Sequence, residues 1–141
     1  MDKYVNEIKE FIAHKHRFNV ILIKDDPKID LDELSKKLNY QIIDATEKVA
    51  EFEKIDGYTD LLKFFRNISD ETTKEGVVVV NNDFFLSSLN KKRIEQFFEN
   101  VLQKTFPKPI ILTTVIFKDE VPDIRHEEFN YAKVIDGGEQ S

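Results

Sequence analysis

The sequence contains no cysteine and no tryptophan, and it has only four glycines and four prolines among 141 residues. Without cysteine there can be no disulfide bond, no thiolate metal site and no thiol nucleophile. The longest apolar runs, near Val77–Val80 and Ile110–Leu112, are far shorter than the ~20 residues that cross a bilayer. The charged amino-terminal stretch also lacks the apolar centre of a signal peptide. We therefore expect a cytoplasmic protein with no membrane partner.

The hydrophobic content is that of a folded chain. Hydrophobic residues make up 40% of the sequence, and 12 of them are phenylalanines, which is typical of a globular protein rather than a disordered one. The length suits one domain with a core of its own. We predict a single α/β domain over residues 1–136 and a disordered tail over residues 137–141.

The formal net charge is −6. A negative field of this size opposes unaided binding to nucleic acid, because such binding depends on neutralising phosphates. Two short basic runs, Lys91–Arg93 and His14–Arg17, could form a local basic patch. Runs this short are more often solvated helix surface. Contact with nucleic acid therefore remains an alternative that needs such a patch or a partner.

Short apolar runs alternate with amphipathic stretches along the chain. The runs predict strands, because they are rich in β-branched residues and end abruptly at polar or charged ones. The amphipathic stretches predict helices, and Asp30 with Glu33 forms a capping pair for one of them. The predicted strands cover residues 20–23, 41–44, 77–80, 110–113 and 131–135, and the predicted helices cover residues 2–17, 31–39, 58–68 and 94–102. This alternation predicts a three-layer α/β sandwich around a mostly parallel sheet of four or five strands.

Polar residues follow the predicted strands at the edge where ligands bind in parallel sheets. They are Lys24–Asp26, Asp44, Asn81–Asp83 and Thr113–Thr114. A phosphate-binding loop needs glycines, so that backbone N–H groups can approach the anion, and then a lysine with a serine or threonine. The segment after the first strand, KDDPKIDL, has no glycine and carries three aspartates. A nucleotide cofactor is therefore not expected.

Three aspartates, Asp25, Asp26 and Asp83, are candidate magnesium ligands, because carboxylate oxygens suit a hard cation. Acids after the first and third strands resemble the pattern of phospho-receiver domains. Asn81 and Asn82 nevertheless occupy the end of the third strand itself, and helix capping or turn formation explains such aspartates more often. A magnesium-dependent, receiver-like signalling domain is thus an alternative.

The other sets of residues that could form a catalytic or metal site are incomplete. His14 and His16 lie two residues apart on a predicted helix and so point to different faces. His126 is isolated, and Val121–Asp123 begins like a nuclease core without the acid-x-lysine that should follow. We therefore predict no catalytic residue, and no metal ligand beyond the three candidate aspartates.

An aromatic segment, Phe84-Phe85-Leu86, lies between the third strand and the polar pair Ser87-Ser88. If the segment is exposed, it is a candidate binding site for a protein partner. Packing into the core is the more common role of such residues.

The order of the predicted elements resembles the core of AAA-like P-loop NTPases. VVVVNND (residues 77–83) looks like a decayed Walker B strand, and PIILTT (residues 109–114) looks like the strand that carries a polar sensor residue. More narrowly, residues 18–135 are similar to the small P-loop protein of bacterial BREX phage-defence systems, with DATEKVAEFEKI and FNYAKV at corresponding places. The phosphate loop is missing, and asparagines stand where the metal-binding acid and its catalytic neighbour belong.

The resemblance implies a P-loop-like scaffold and a place in a multiprotein assembly that acts on DNA or phage. It assigns ATP binding or hydrolysis to no residue of this chain. The leading prediction is therefore a non-catalytic adaptor that binds a protein partner or a second copy of itself.

Overall fold

Five strands form one sheet in the computed structural model of the chain, which describes residues 2–13, 19–24, 30–48, 58–87, 89–114, 116–122 and 133–136. The strands are β1 (Val20–Lys24), β2 (Tyr40–Asp44), β3 (Gly76–Val80), β4 (Ile110–Thr114) and β5 (Lys133–Asp136). Their order is β2-β3-β4-β1-β5, and every neighbouring pair is parallel. The predicted α/β class with a parallel sheet is confirmed.

One helix precedes the first strand, and the others lie in the connections between strands, as parallel pairing requires. The helices are α1 (Asp2–Ala13), α2 (Leu31–Leu38), α3 (Tyr58–Glu71), α4 (Asp83–Leu86) and α5 (Lys91–Val101), and 3-10 turns cover Ala45–Lys48 and Lys118–Glu120. The Asp30 side chain caps α2 as predicted, because its Oδ1 accepts a bond from the Glu33 N–H at 3.1 Å. Asn90 caps α5 in the same way. Asn39 ends α2 in the left-handed region, at φ 59°, and lets β2 begin at the next residue.

The helices lie on both faces of the sheet, and alternate strand residues supply the two cores. On one face, α3 and α5 pack over the odd-numbered residues of β3 and the even-numbered residues of β1 and β4. On the other face, α1 and α2 pack over the remaining strand residues, among them Ile21, Val78 and Ile111. Strands covered on both sides need apolar residues at every position, which explains the uniform Val77–Val80 run. The chain is therefore a three-layer sandwich.

Two neighbouring strands, β1 and β4, send the chain to opposite faces of the sheet. The connection that follows β1 runs through α2 on one face. The connection that follows β4 packs Phe117 and Val121 against the core on the opposite face. In open α/β sheets, ligands bind outside the carboxyl ends of the strands at such a switch point.

Several boundaries differ from the sequence-based predictions. The first helix is described as far as Ala13, and the rest of its predicted length, with the His14–Arg17 run, lies outside the described residues. The last strand is described over Lys133–Asp136, whereas residues 131 and 132 of its predicted range lie outside the described residues, and α4 was not predicted. The predicted tail over residues 137–141 also lies outside the described residues. Within the described part, no helix has both the length and the apolar character needed to cross a bilayer.

Candidate functional site

The polar residues at the carboxyl ends of β2, β3 and β4 are joined by side-chain hydrogen bonds. At the β2 end, the Asp44 Oδ1 accepts bonds from the Thr46 N–H at 2.9 Å and the Thr46 hydroxyl at 2.6 Å. It accepts a third from the Asn81 Nδ2 at 3.0 Å. These bonds, with that from Asn81 first, lower the pKa of the Asp44 carboxyl below its ordinary value of 3.8. Asp44 therefore ties the end of β2 to the end of β3.

Asn82 links β3 to β4 from a buried position. Its Nδ2 donates to the Val79 carbonyl at 2.7 Å and to the Thr113 carbonyl at 3.0 Å. Both partners are acceptors, so the amide nitrogen must face them and the amide oxygen must face away. That oxygen, Oδ1, is buried and has no hydrogen-bond partner. The side chain is only 3% exposed, so Asn82 acts first as a buried bridge between strand ends.

Asp83 links the start of α4 to the end of β4. Its Oδ1 accepts a bond from the Thr114 hydroxyl at 2.5 Å, and its Oδ2 accepts the Ile116 N–H at 3.1 Å. Thr114 is buried and its hydroxyl oxygen also accepts the Phe117 N–H. Both oxygens of the candidate metal ligand Asp83 are thus engaged in shaping the turn after β4.

The other two candidate metal ligands, Asp25 and Asp26, lie outside the described residues, so the structure does not place them beside Asp83. Among the described residues there is no group of three potential ligands that could hold a metal ion. The strand order bears on the receiver alternative, because β4 lies between β1 and β3. Two strand spacings put the ends of β1 and β3 about 10 Å apart. Receiver domains have the order 2-1-3-4-5, in which these two strands are neighbours.

Of the aromatic segment Phe84–Leu86, only Leu86 has a described side chain, and it lies in the core. Leu86 is fully buried among the core residues between the sheet and α3 and α5. It therefore does not belong to the exposed patch that was a candidate from the sequence, because the single turn of α4 directs it inward. The side chains of Phe84 and Phe85 lie outside the described residues.

The basic run Lys91–Arg93 forms the exposed first turn of α5. This turn contains no acidic residue, although the amino end of a helix favours negative charge. His126 and Asp123 lie outside the described residues.

Two clefts were not indicated by the sequence. One, of about 590 Å³, lies at the amino edge of the sheet and is lined in part by Lys9, Tyr40, Glu75 and Lys108. Burial, and then the charge of Glu75, raises the pKa of the Tyr40 phenol to about 12. The Lys108 Nζ donates to the Thr72 carbonyl, so this lysine satisfies a backbone acceptor just beyond the end of α3.

The second cleft, of about 340 Å³, lies along β2 at the edge of the sheet. Its lining comes from β2, from the 3-10 turn after it and from the last turns of α3. The sequence patterns indicated neither cleft. Both clefts depend on which strand lies at the edge of the sheet, and periodicity does not predict the order of the strands.

No protein-family model, curated protein or solved structure matches this chain. What the chain can do must therefore be argued from its own residues.

Proposed function

We propose that this chain is a non-catalytic adaptor or accessory protein with a degenerate P-loop-like fold. It acts through protein–protein contacts in a bacterial phage-defence or DNA-processing complex. One observation carries the non-catalytic part: the polar side chains at three strand ends bond to one another. Asp44 bonds to Asn81, Asn82 to the Thr113 backbone, and Asp83 to Thr114.

These hydrogen bonds occupy the polar groups that a catalytic site at the carboxyl ends of the strands would need. In the P-loop NTPases that the sequence resembles, the third strand ends in the metal-binding acid and its catalytic neighbour, and the fourth carries a polar sensor residue. Here the corresponding positions are amides and hydroxyls that hold neighbouring strands together. Asn82 is buried to 3% exposure, so its amide serves the interior of the protein rather than a bound substrate.

The parallel sheet is the scaffold that the P-loop-like part of the proposal requires. The sequence resemblance identifies β3 with the Walker B strand and β4 with the strand that carries the polar sensor residue. In this chain β4 lies between β1 and β3, and β4 carries the Thr113-Thr114 pair. This agreement concerns the scaffold alone, and the biological setting follows from the sequence resemblance.

The experiment that tests the non-catalytic proposal is titration with ATP and magnesium, followed by calorimetry and a phosphate-release assay. We expect no binding at millimolar ATP, because the segment after β1 lacks glycine and carries three aspartates. A double variant, Asp25→Asn with Asp26→Asn, separates charge from shape and should also fail to bind. Micromolar ATP affinity of the wild-type chain together with turnover would overturn the proposal.

A magnesium titration followed by amide NMR tests the receiver alternative. Clustered shifts at Asp25, Asp26 and Asp83 would support that alternative, and the absence of a response would support the adaptor. We expect no response at Asp83, because both of its oxygens accept hydrogen bonds.

Contact with nucleic acid is a second candidate, and the first turn of α5 favours it. Lys91, Lys92 and Arg93 are exposed there without an acidic neighbour in the turn. A gel-shift titration with DNA at low and moderate salt tests this candidate, because phosphate contacts weaken steeply with salt. The variant Lys92→Glu should abolish any shift, whereas Lys63→Glu, an equal charge change on α3, should leave it unaltered. Equal effects of the two variants would exclude a specific site at α5.

A further inference from the structure

We propose that the outer edge of β2, which has no neighbour among the described strands, binds an extended, basic segment of a protein partner, which adds to the sheet as a further strand. This inference rests on the proposed adaptor function and names the surface and the partner chemistry that it would use.

The edge position of β2 supplies the first argument. Among the described strands β2 pairs with β3 alone, from Tyr40↔Gly76 to Asp44↔Val80. A strand with one neighbour presents a row of unpaired backbone N–H and C=O groups on its other side. Peptides bind such edges by strand addition, in which the backbone supplies affinity and the side chains supply specificity.

The cleft along this edge supplies the second argument. It measures about 340 Å³, and four of its lining residues are the consecutive β2 positions Gln41–Asp44. The opposite wall comes from Ile68 and Glu71 of α3 and from Thr72, the residue that follows the helix. The Thr72 hydroxyl donates to the Gln41 Oε1 at 2.7 Å, which joins the two walls at the end nearest the start of β2. The cleft thus follows the strand for most of its length.

Charge decides what kind of segment fits. The lining includes the carboxylates of Asp44, Glu47 and Glu71, and no lysine, arginine or histidine among the described residues that form it. The three bonds that Asp44 accepts all go to its Oδ1, so Oδ2 takes part in none of them. Ile42, which is partly buried, and Ile43, which is buried, add apolar atoms to the lining. A strand that alternates basic and apolar residues matches this pattern.

The same charges argue against other occupants. Pairing of two β2 edges would bring two sets of three carboxylates together, and such like-charge contacts are unfavourable. Nucleic acid would be repelled for the same reason. A basic partner segment is therefore favoured over a second copy of this chain.

The test uses a fluorescein-labelled peptide of alternating lysine and valine, titrated with the full chain and followed by anisotropy at low salt. We expect saturable binding, with amide NMR shifts concentrated at Gln41–Asp44. The variant Glu71→Lys should weaken binding about tenfold, because it replaces an attraction with a repulsion. The matched control Glu99→Lys, an equal charge change on the exposed face of α5, should leave the affinity unchanged.

A second peptide, with the same lysines but proline in place of valine, tests strand addition itself. It should not bind, because proline cannot donate to a strand ladder. Equal weakening by Glu71→Lys and Glu99→Lys, equal binding of the proline peptide, or shifts that lie away from β2 would each overturn the proposal. So would a stable dimer whose interface contains β2. Failure of the peptide to bind at β2 would not affect the proposal that the chain is non-catalytic, because ATP titration tests that proposal separately.

Discussion

At the scale of single residues, Asn82 has the most constrained environment at the carboxyl edge of the sheet. Its amide nitrogen serves two carbonyls while its buried oxygen has no partner. A buried acceptor without a donor is costly. The arrangement persists because loss of the amide nitrogen would leave the Val79 and Thr113 carbonyls without this shared donor.

Placing an acid at this position provides a sharp test. We expect Asn82→Asp to destabilise the chain by ~3 kcal/mol at neutral pH, because a buried carboxylate would face two carbonyl oxygens. Burial raises the pKa of the introduced carboxyl above its unfolded value. The loss of stability should therefore be small below pH ~4 and grow as the pH rises. Urea unfolding at acid and neutral pH measures both effects.

The control for this variant is Asn90→Asp, the same chemical change at the exposed cap of α5. Aspartate caps helices about as well as asparagine, so the stability should hardly change. If the two variants cost the same free energy of unfolding, the Asn82 amide is not a bridge between strand ends.

Asp44 supports a prediction about acid stability. The pKa of its carboxyl is lowered in the folded chain by bonds from Asn81 and Thr46. Its contribution to stability is therefore complete above the unfolded pKa of 3.8 and disappears as the pH falls through the lower folded value. We expect Thr46→Val to raise the pKa of Asp44 and to reduce the stability lost on acidification below pH 3.8. Carboxyl ¹³C titration by NMR measures the pKa, and Thr73→Val, at an exposed threonine elsewhere, should leave it unchanged.

At the scale of elements, Gly76 sets how closely three strands approach at the amino edge of the sheet. A Cβ atom there would lie 2.7 Å from the Pro109 carbonyl oxygen and 2.8 Å from the Tyr40 ring. We expect Gly76→Ala to cost about 1–3 kcal/mol of stability, because neither backbone nor packed ring yields without strain. In a Tyr40→Ala background the cost of Gly76→Ala should be smaller but not zero, since the Pro109 contact remains. Urea unfolding of the double-mutant cycle checks this, and full additivity would contradict it.

Much of the element pattern was predictable from periodicity and capping. The uniform Val77–Val80 run and the Asp30 cap correctly indicated β3 and the start of α2. The order of the strands was not predictable, because it depends on contacts between residues far apart in the sequence. For the same reason Leu86 could not be placed, since a four-residue helix has no period that distinguishes an inward from an outward face.

The location of the candidate site was predictable from the sequence, but the role of its residues was not. Polar residues were expected at the strand ends, and the structure places Asp44, Asn81–Asp83 and Thr113–Thr114 there. Their mutual hydrogen bonds were not foreseen, because the pairing of Asp44 with Asn81 requires β2 beside β3 and that of Asp83 with Thr114 requires α4 close to the end of β4. The sequence resemblance placed the asparagines where a metal-binding acid and its catalytic neighbour would be expected, and their hydrogen bonds became visible only in the sheet.

At the scale of the whole molecule, the sheet has protected central strands and a less protected edge. Both β4 and β1 lie between two neighbours, whereas β2 has one among the described strands. We expect the slowest amide hydrogen exchange in Ile110–Thr114 and Val20–Lys24, and at least ~10-fold faster exchange at the outward amides of Tyr40–Asp44. Exchange measured by NMR checks this order. Equal protection of β2 and β4 would mean that the β2 edge is covered in solution.

Two hydrogen bonds made by the Asn19 side chain bear on how fast the chain folds. Its side chain donates to the Phe106 carbonyl at 2.9 Å and accepts the Phe106 N–H at 2.9 Å, across 87 positions of sequence. The central pairing of β1 with β4 can form only after these distant stretches meet, and chains dominated by such remote encounters reach their native state slowly. The newly synthesised chain therefore spends a comparatively long time with its most apolar strands exposed to solvent. Aggregation with other copies of the same chain is then its main risk before folding is complete.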